Sequence, residues 1–156
     1  MNARVKELVE SLQLHPHPEG GYYKETYRST EKTNNDLSLM TSIYFLLTSD
    51  SPSHFHRIQS DEHWYFHEGS PLSIHLLDNG KLATLKLGLD ITKNQRPYAM
   101  VKGNTIFGSE IEVTDGYALV SCAVSPGFDF STFELFAKED LVNEYSEYNE
   151  LIERLT

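Results

Sequence analysis

Polar and apolar side chains alternate along much of this chain, and the alternation is clearest near its middle. In the segment 72–77, aliphatic residues at every second position are separated by more variable ones. A period of two is typical of a β-strand with one buried face. The Asn-Gly pair at 79–80 favours a tight hairpin turn, so residues 82–87 are predicted to return as the partner strand.

Other segments carry a strand signal at regular intervals. Residues 43–47 are apolar on both faces, as expected for a strand that is covered on both sides. The other predicted strands cover 22–29, 37–48, 98–101, 105–113 and 117–124, with two short strands joined at 59–61. Many short strands separated by turns predict a mainly β protein, either a sandwich or a barrel of the jelly-roll kind.

Helical spacing of apolar residues is confined to the two ends of the chain. Residues 3–12 carry one apolar helical face, and the acidic segment 138–155 is predicted to be a helical tail. We therefore expect a single domain over residues 1–156, with a barrel at about 20–136 and these two helical extensions.

Charge and cysteine content narrow the possible partners. The chain has 13 Lys and Arg against 23 Asp and Glu, a formal net charge of −10. Nucleic acids and anionic membrane surfaces attract basic proteins, so neither is expected as a partner. Cys122 is the single cysteine, which excludes an intrachain disulfide and suits a cytoplasmic protein.

The chemistry is concentrated in residues 53–69, which hold four of the seven histidines. His54 and His56 are two positions apart, so a regular strand would place both on one face. Glu62 follows after a short turn and is expected to return beside them. Two histidines and one carboxylate are a known ligand set for a divalent first-row metal. The same three residues also suit an acid–base cluster without metal, or a hydrogen-bonded pocket lining.

The spacing of these residues resembles the first motif of the cupins, Gly-x5-His-x-His-x3–4-Glu-x6-Gly. Two departures are present: Thr48 stands where the leading glycine belongs, and five residues separate His56 from Glu62. A closer resemblance is to the largely uncharacterised fifth cupin family, and three segments in the right order carry it. They are His-Pro-Glu-Gly-Gly-Tyr-Tyr-Lys-Glu-Thr-Tyr-Arg-Ser at 17–29, the 53–64 segment with His-Arg and Asp-Glu-His-Trp, and Pro-Gly-Phe-Asp-Phe at 126–130.

This resemblance implies a double-stranded β-helix, a jelly-roll cupin barrel, with a pocket that opens into the barrel. It also implies a homodimer, and a likeness in form to sugar-nucleotide epimerases and to germin-like metalloproteins. The second cupin motif should supply a further histidine ligand. Here Phe107 aligns with that ligand, and Asn104 replaces a glycine at a turn, where asparagine tolerates a left-handed backbone. The resemblance therefore implies only part of a metal site.

The leading functional hypothesis is a cupin that binds a small polar metabolite, with isomerase or epimerase chemistry on a sugar-like or carbonyl compound. His54 or His56 would be the base, oriented by Glu62, and a tyrosine would be the acid. One alternative is an oxygenase or lyase with a divalent metal bound by His54, His56 and Glu62. The other alternative is a non-catalytic ligand-binding or storage-like protein.

Other residues are candidates for substrate contact. Arg28 and Arg57 suit an anion, or else pair with nearby carboxylates such as Glu25 and Asp61. The aromatic residues are either a ligand wall or ordinary barrel core. The predicted substrate-binding set is Glu25, Tyr27, Arg57, Trp64, Phe66 and Phe107, with His17 as a further residue of the pocket mouth or of a structural turn.

Overall fold

The structure is a computed structural model that describes residues 2–156, and two antiparallel sheets form most of it. The strands in chain order are β1 (His15–Pro16), β2 (Tyr22–Arg28), β3 (Thr41–Thr48), β4 (Ser53–Arg57), β5 (Asp61–Gly69), β6 (Leu72–Asp78), β7 (Lys81–Leu87), β8 (Tyr98–Val101), β9 (Ile106–Glu110), β10 (Tyr117–Ser125) and β11 (Glu134–Leu135). The helices are α1 (Ala3–Ser11), α2 (Lys138–Leu141) and α3 (Asn149–Arg154), with three short 3₁₀ turns at Ile91–Lys93, Phe130–Thr132 and Ser146–Tyr148.

One sheet has the strand order β1-β2-β3-β10-β5-β8, and the other has the order β11-β4-β9-β6-β7. Strands that are distant in sequence are therefore neighbours in both sheets, as in a jelly roll. The predicted mainly β jelly-roll fold is confirmed. The hairpin predicted at 79–80 is also present, since Asn79 and Gly80 both have positive φ angles, 49° and 75°.

The core lies between the two sheets and is rich in aromatic residues. Trp64 and Phe107 are 0 % and 1 % exposed, and Phe66 packs against the same cluster. The three aromatics proposed as either ligand wall or core therefore belong to the core. The turn predicted at Asn104 has the expected left-handed backbone, with a φ angle of 66°.

The C-terminal segment covers the outside of the second sheet. The predicted helical tail is interrupted, since α2 ends at Leu141 and a turn over 142–145 precedes the next helical residues. The interruption bends the segment so that both Leu141 and Leu155 join the cluster around Phe55 of β4. The Phe55 backbone N–H also donates to the Leu155 carbonyl at 2.8 Å. The tail therefore fixes the strand that carries His56.

The helices of the described part of the chain are all short. Within residues 2–156, none has the length and apolar character that crossing a membrane requires.

Candidate functional site

A cavity of about 240 Å³ lies between the segment 17–28 and the strands β4, β5 and β10. Its volume is slightly below the range of about 300–1,000 Å³ that is typical of ligand pockets, so it suits a small ligand. The cavity is lined by His17, Glu19, Tyr23, Glu25, Arg28, Thr41, Ile43, His56, Ile58, Glu62, Cys122, Val124, Phe128, Asp129 and Phe130. Ionisable groups therefore share the wall with aromatic rings.

His56 and Glu19 form a buried ion pair in this cavity. His56 Nε2 lies 3.0 Å from Glu19 Oε2, and the two residues are 1 % and 6 % exposed. His56 Nδ1 lies 2.7 Å from the His54 carbonyl oxygen, which can only accept, so Nδ1 carries a proton. Both ring nitrogens therefore face acceptors, and the pair is an imidazolium with a carboxylate.

The pKa values of the pair agree with this protonation state. Burial alone lowers the pKa of His56, but the charge of Glu19 and its hydrogen bond outweigh burial and raise it. Burial alone raises the pKa of Glu19, but the charge of His56 and the hydrogen bonds from His56 and Ser53, together with the charge of His17, outweigh burial and lower it. Each residue thus holds the other in its charged form.

An irregularity in β4 aims His56 into the cavity. The register of β4 against β9 shifts between Ser53 and His56. Ser53 and His56, three positions apart, therefore both reach Glu19, the serine by donating to Oε1 at 2.9 Å. His54 does not line the cavity, and its Nδ1 lies near Gly20 instead. The structure thus brings together His56 and Glu62 of the predicted trio but not His54.

Glu19 is the functional residue that sequence reasoning missed, because the segment 17–21 has the local features of a structural turn. It is indeed a turn: Gly20 has a φ angle of 108°, and a Cβ there would lie 1.9 Å from the Pro52 carbonyl oxygen. The His54 backbone N–H donates to the Glu19 carbonyl at 2.6 Å. These contacts hold the turn against β4 and direct the Glu19 side chain inward. An acidic residue inside the family-like segment was the available signal.

Among residues 2–156, Glu62 is the buried acid of the site that forms no salt bridge. It is 8 % exposed and lines the cavity. Burial raises its pKa, the negative charge of Glu19 raises it further, and the result is about 7. His56 and a hydrogen bond from the Cys122 thiol act in the opposite direction without cancelling this. Glu62 therefore exchanges its proton near neutral pH, which suits a general acid or base.

His17 contributes a neutral imidazole. Burial lowers its pKa more than the charge of Glu19 raises it. The Glu19 backbone N–H donates to His17 Nδ1 at 3.1 Å, so the proton of the neutral ring is on Nε2. The ring lies against Tyr23 with centroids 4.6 Å apart and is stacked on Phe130 at 6.3 Å. His17 thus joins the ionisable part of the cavity to an aromatic part.

The guanidinium groups of Arg28 and Arg57 both form ion pairs with carboxylates. Arg28 lines the cavity and donates to both oxygens of Glu25 at 2.9 and 2.8 Å, so the predicted local pairing of these two is confirmed. Arg57 does not line the cavity, and its guanidinium pairs with Glu134 at 2.6 Å instead of with Asp61. The expected partner was wrong because β11 pairs with β4 and places Glu134 opposite Arg57.

The remaining predicted contact residues lie around the cavity without lining it. Tyr27 is 52 % exposed, beyond a register shift in β2 that follows Glu25. Trp64 and Phe66 face the core. Phe107 lies beneath His56, with ring centroids 4.2 Å apart. It therefore packs on the ionisable cluster although it does not line the opening.

Among residues 2–156, a group of three side chains with converging metal-ligating atoms lies outside this cavity. Within residues 2–156, the group of three whose ligand atoms all lie within 4.8 Å of one another is His75, Glu110 and Glu112, on the outer face of the second sheet. His75 is only 7 % exposed. Both nitrogens of His56 are engaged and His54 does not line the cavity, so His54, His56 and Glu62 do not converge on one point in this arrangement.

Both carboxylates of the group formed by His75, Glu110 and Glu112 already pair with basic side chains. Glu110 pairs with Arg154 at 2.9 Å, and Glu112 pairs with Lys86 at 2.6 Å. His75 Nε2 lies 3.0 Å from Glu110 Oε1. A histidine with two carboxylates is a possible metal-binding group, and a metal there would have to displace these two side-chain cations.

Comparisons with known proteins agree with the fold. Protein SO0799 from Shewanella oneidensis has a similar structure, with a TM-score of 0.93 and 42 % identity over 100 % of this chain and 98 % of that one. An uncharacterised protein of Saccharomyces cerevisiae, YML079W, is 30 % identical over 87 % of this chain and 77 % of its own length. Oxalate decarboxylase from Bacillus subtilis has a TM-score of 0.59 at 15 % identity, covers 93 % of this chain and 37 % of that one, and shows the fold alone.

The family model described as "Cupin superfamily (DUF985)" matches residues 6–136, which include every residue that lines the cavity. The chain therefore belongs to this family of cupins.

Proposed function

We propose that this cupin binds a small polar metabolite in the barrel and catalyses proton transfer on it, as in isomerisation or epimerisation of a sugar-like or carbonyl compound. The observation that carries the proposal is Glu62, a buried acid with a pKa of about 7 that lines a small cavity beside a fixed ion pair. An acid or base with a pKa near the working pH is the most effective proton-transfer group.

The roles proposed here differ from those that the sequence suggested. His56 has no free nitrogen, so it supplies a fixed positive charge instead of acting as the base. In isomerisation, Glu62 would take a proton from the carbon next to a carbonyl and deliver it to the former carbonyl carbon of the enediol. In epimerisation, Glu62 would take the same proton, and a tyrosine acid would deliver a proton to the opposite face of that carbon. The Nε2–H of His17 would donate to the carbonyl oxygen, on which negative charge develops. Tyr23, which also lines the cavity, is the candidate for the tyrosine acid.

Proton exchange with solvent tests this proposal. Purified protein is incubated in D₂O with a panel of aldoses, ketoses, amino sugars and small hydroxy ketones, and deuterium at the carbon next to the carbonyl is followed by NMR. We expect exchange of one panel compound by the wild type and its loss in Glu62→Gln, with binding retained. Exchange that is unchanged in Glu62→Gln, or no exchange of any panel compound, would refute the proposal.

A non-catalytic binding protein is the alternative function that a specific observation favours. Phe107 occupies the position of the second-motif ligand and places an apolar ring against His56. A panel compound that raises the melting temperature but is recovered without deuterium would support this alternative. We further propose a homodimer as the assembly, and analytical ultracentrifugation tests this directly.

A further inference from the structure

The balance of charge around the barrel cavity is negative. Four carboxylates line it, and only two side-chain cations do so; the carboxylates are Glu19, Glu25, Glu62 and Asp129, and the cations are His56 and Arg28. His17 is held neutral because burial lowers its pKa. With every carboxylate ionised, two negative charges in the cavity wall are left without a matching cation.

Both cations already have a carboxylate partner in the wall. His56 donates to Glu19 and to the His54 carbonyl. Arg28 donates to both oxygens of Glu25 and to the Phe128 carbonyl at 3.0 Å. An anionic ligand would have to share a cation that is already paired with a carboxylate, and it would face the excess carboxylates. Like charge in a partly desolvated site disfavours binding strongly.

Glu62 is the buried carboxylate that points to the charge of the ligand. Among residues 2–156 it forms no salt bridge, although it is 8 % exposed and lines the cavity. Three titratable groups act on the pKa of Glu62. They are Glu19 and His56 from across the cavity and Cys122 from the neighbouring strand β10. Of these groups only His56 is positively charged, and it already forms an ion pair with Glu19. A buried carboxylate is stabilised by a partner of opposite charge, so this site lacks its counter-ion.

The aromatic part of the cavity suits the same kind of ligand. Phe128 and Phe130 meet edge to face with centroids 4.9 Å apart, and both line the cavity together with Tyr23. Phe130 is 51 % exposed, a high value for a phenylalanine at a pocket. Faces of aromatic rings attract organic cations, and several rings around one site strengthen the effect.

We propose that the ligand of this cavity carries a positive charge, as an organic ammonium group that faces Glu62 on one side and the rings of Tyr23, Phe128 and Phe130 on the other. This inference rests on the proposed use of the cavity as the substrate site. Together the two proposals indicate an amino-bearing carbonyl compound, such as an amino sugar, as the substrate class. They exclude small carboxylates from that class.

A matched pair of probes tests the charge without any knowledge of the true ligand. Choline and 3,3-dimethylbutan-1-ol have the same shape, and only choline is charged; acetate serves as the anion. Dissociation constants are measured by protein-observed NMR at about pH 8.5, where Glu62 is ionised. We expect choline to bind about 10-fold more tightly than the alcohol, which corresponds to about 1.4 kcal/mol, and acetate not to shift the cavity resonances.

Two variants assign this preference to its source. Glu62→Gln should abolish the preference for choline, and Glu68→Gln on the exposed end of the same strand should retain it. Phe130→Leu, at an exposed position that leaves the core intact, should weaken choline binding more than binding of the alcohol. Equal or tighter binding of the alcohol, no binding of choline, or a preference that survives in Glu62→Gln would overturn the inference.

The exchange experiment separates this inference from the proposed function. A preference for choline without deuterium exchange of any compound would retain the cationic ligand and remove the catalytic role. Exchange of a neutral sugar without any preference for choline would retain the catalytic role and remove the cationic ligand.

Discussion

Replacing Glu62 by glutamine should stabilise the folded protein at alkaline pH and have little effect at acidic pH. The pKa of Glu62 is about 7 in the folded protein, against an ordinary value of 4.5. Below about pH 4.5 the carboxyl is protonated in the folded and unfolded states alike. Between the two pKa values the unfolded state loses the proton first, so the folded state loses stability as the pH rises. Since each pKa unit corresponds to about 1.36 kcal/mol, the penalty above pH 7 is about 3 kcal/mol.

Urea denaturation at a series of pH values measures this penalty. Wild type and Glu62→Gln are unfolded at about pH 5 and about pH 8.5, and the difference in free energy of unfolding is compared. We expect the variant to gain about 3 kcal/mol relative to wild type between the two conditions. A difference that does not change with pH would refute the assignment of the raised pKa to Glu62.

Glu68→Gln is a matched control because it makes the same chemical change on the same strand. The hydrogen bond from Arg4 lowers the pKa of Glu68, so this carboxylate contributes stability above its ordinary pKa and loses it as the pH falls. The control should therefore lower stability by a similar amount at about pH 5 and about pH 8.5, with a sign opposite to that of Glu62→Gln at pH 8.5, and its effect should decline only below about pH 4.5.

Three further substitutions test the parts that position the site. His56→Ala should lower the free energy of unfolding by about 3–5 kcal/mol, because Glu19 is left buried without its cation; adding Glu19→Gln should recover part of the loss. Phe55→Ala should cost about 3–5 kcal/mol in urea denaturation, because it empties the cluster beneath the C-terminal segment. Gly20→Ala should lower the melting temperature sharply, since its φ angle of 108° and the Pro52 carbonyl leave no place for a methyl group.

The parts of the fold that depend on local sequence could be predicted well. The hairpin of β6 and β7 follows from alternation over a few residues and from Asn79-Gly80, all within one stretch of chain. The left-handed turn at Asn104 likewise depends on one residue type at one position. The resemblance carried by three segments added the double-stranded β-helix with a pocket in the barrel, which alternation alone does not determine.

The site was harder to predict because its geometry depends on pairing between distant segments. A regular strand would have placed His54 beside His56, but the register shift of β4 occurs where it pairs with β9, about fifty residues later. That shift separates the two histidines and brings Ser53 to the cavity side instead. No pattern within residues 53–57 contains this information.

Glu19 was missed for a related physical reason. A glutamate before two glycines has every local feature of an exposed turn, and charged residues are buried only when paired. Its partner, His56, lies in β4, far from Glu19 in sequence. The two glycines seemed sufficient to explain the turn, but Gly20 also lets the turn pack against Pro52. The burial of an acid could be inferred only from knowledge of where its cation lies.

The pairing of Glu19 with His56 also determines the character of Glu62. Two buried carboxylates face one imidazolium in this cavity, and the hydrogen bonds of the imidazolium go to Glu19 and to a carbonyl. Phe107, which lies against the same imidazole, contributes no charge to share. Burial and the charge of Glu19 therefore both act to keep a proton on Glu62. A single cation shared unequally between two acids thus explains why the pKa of Glu19 is lowered while that of Glu62 is raised to about 7.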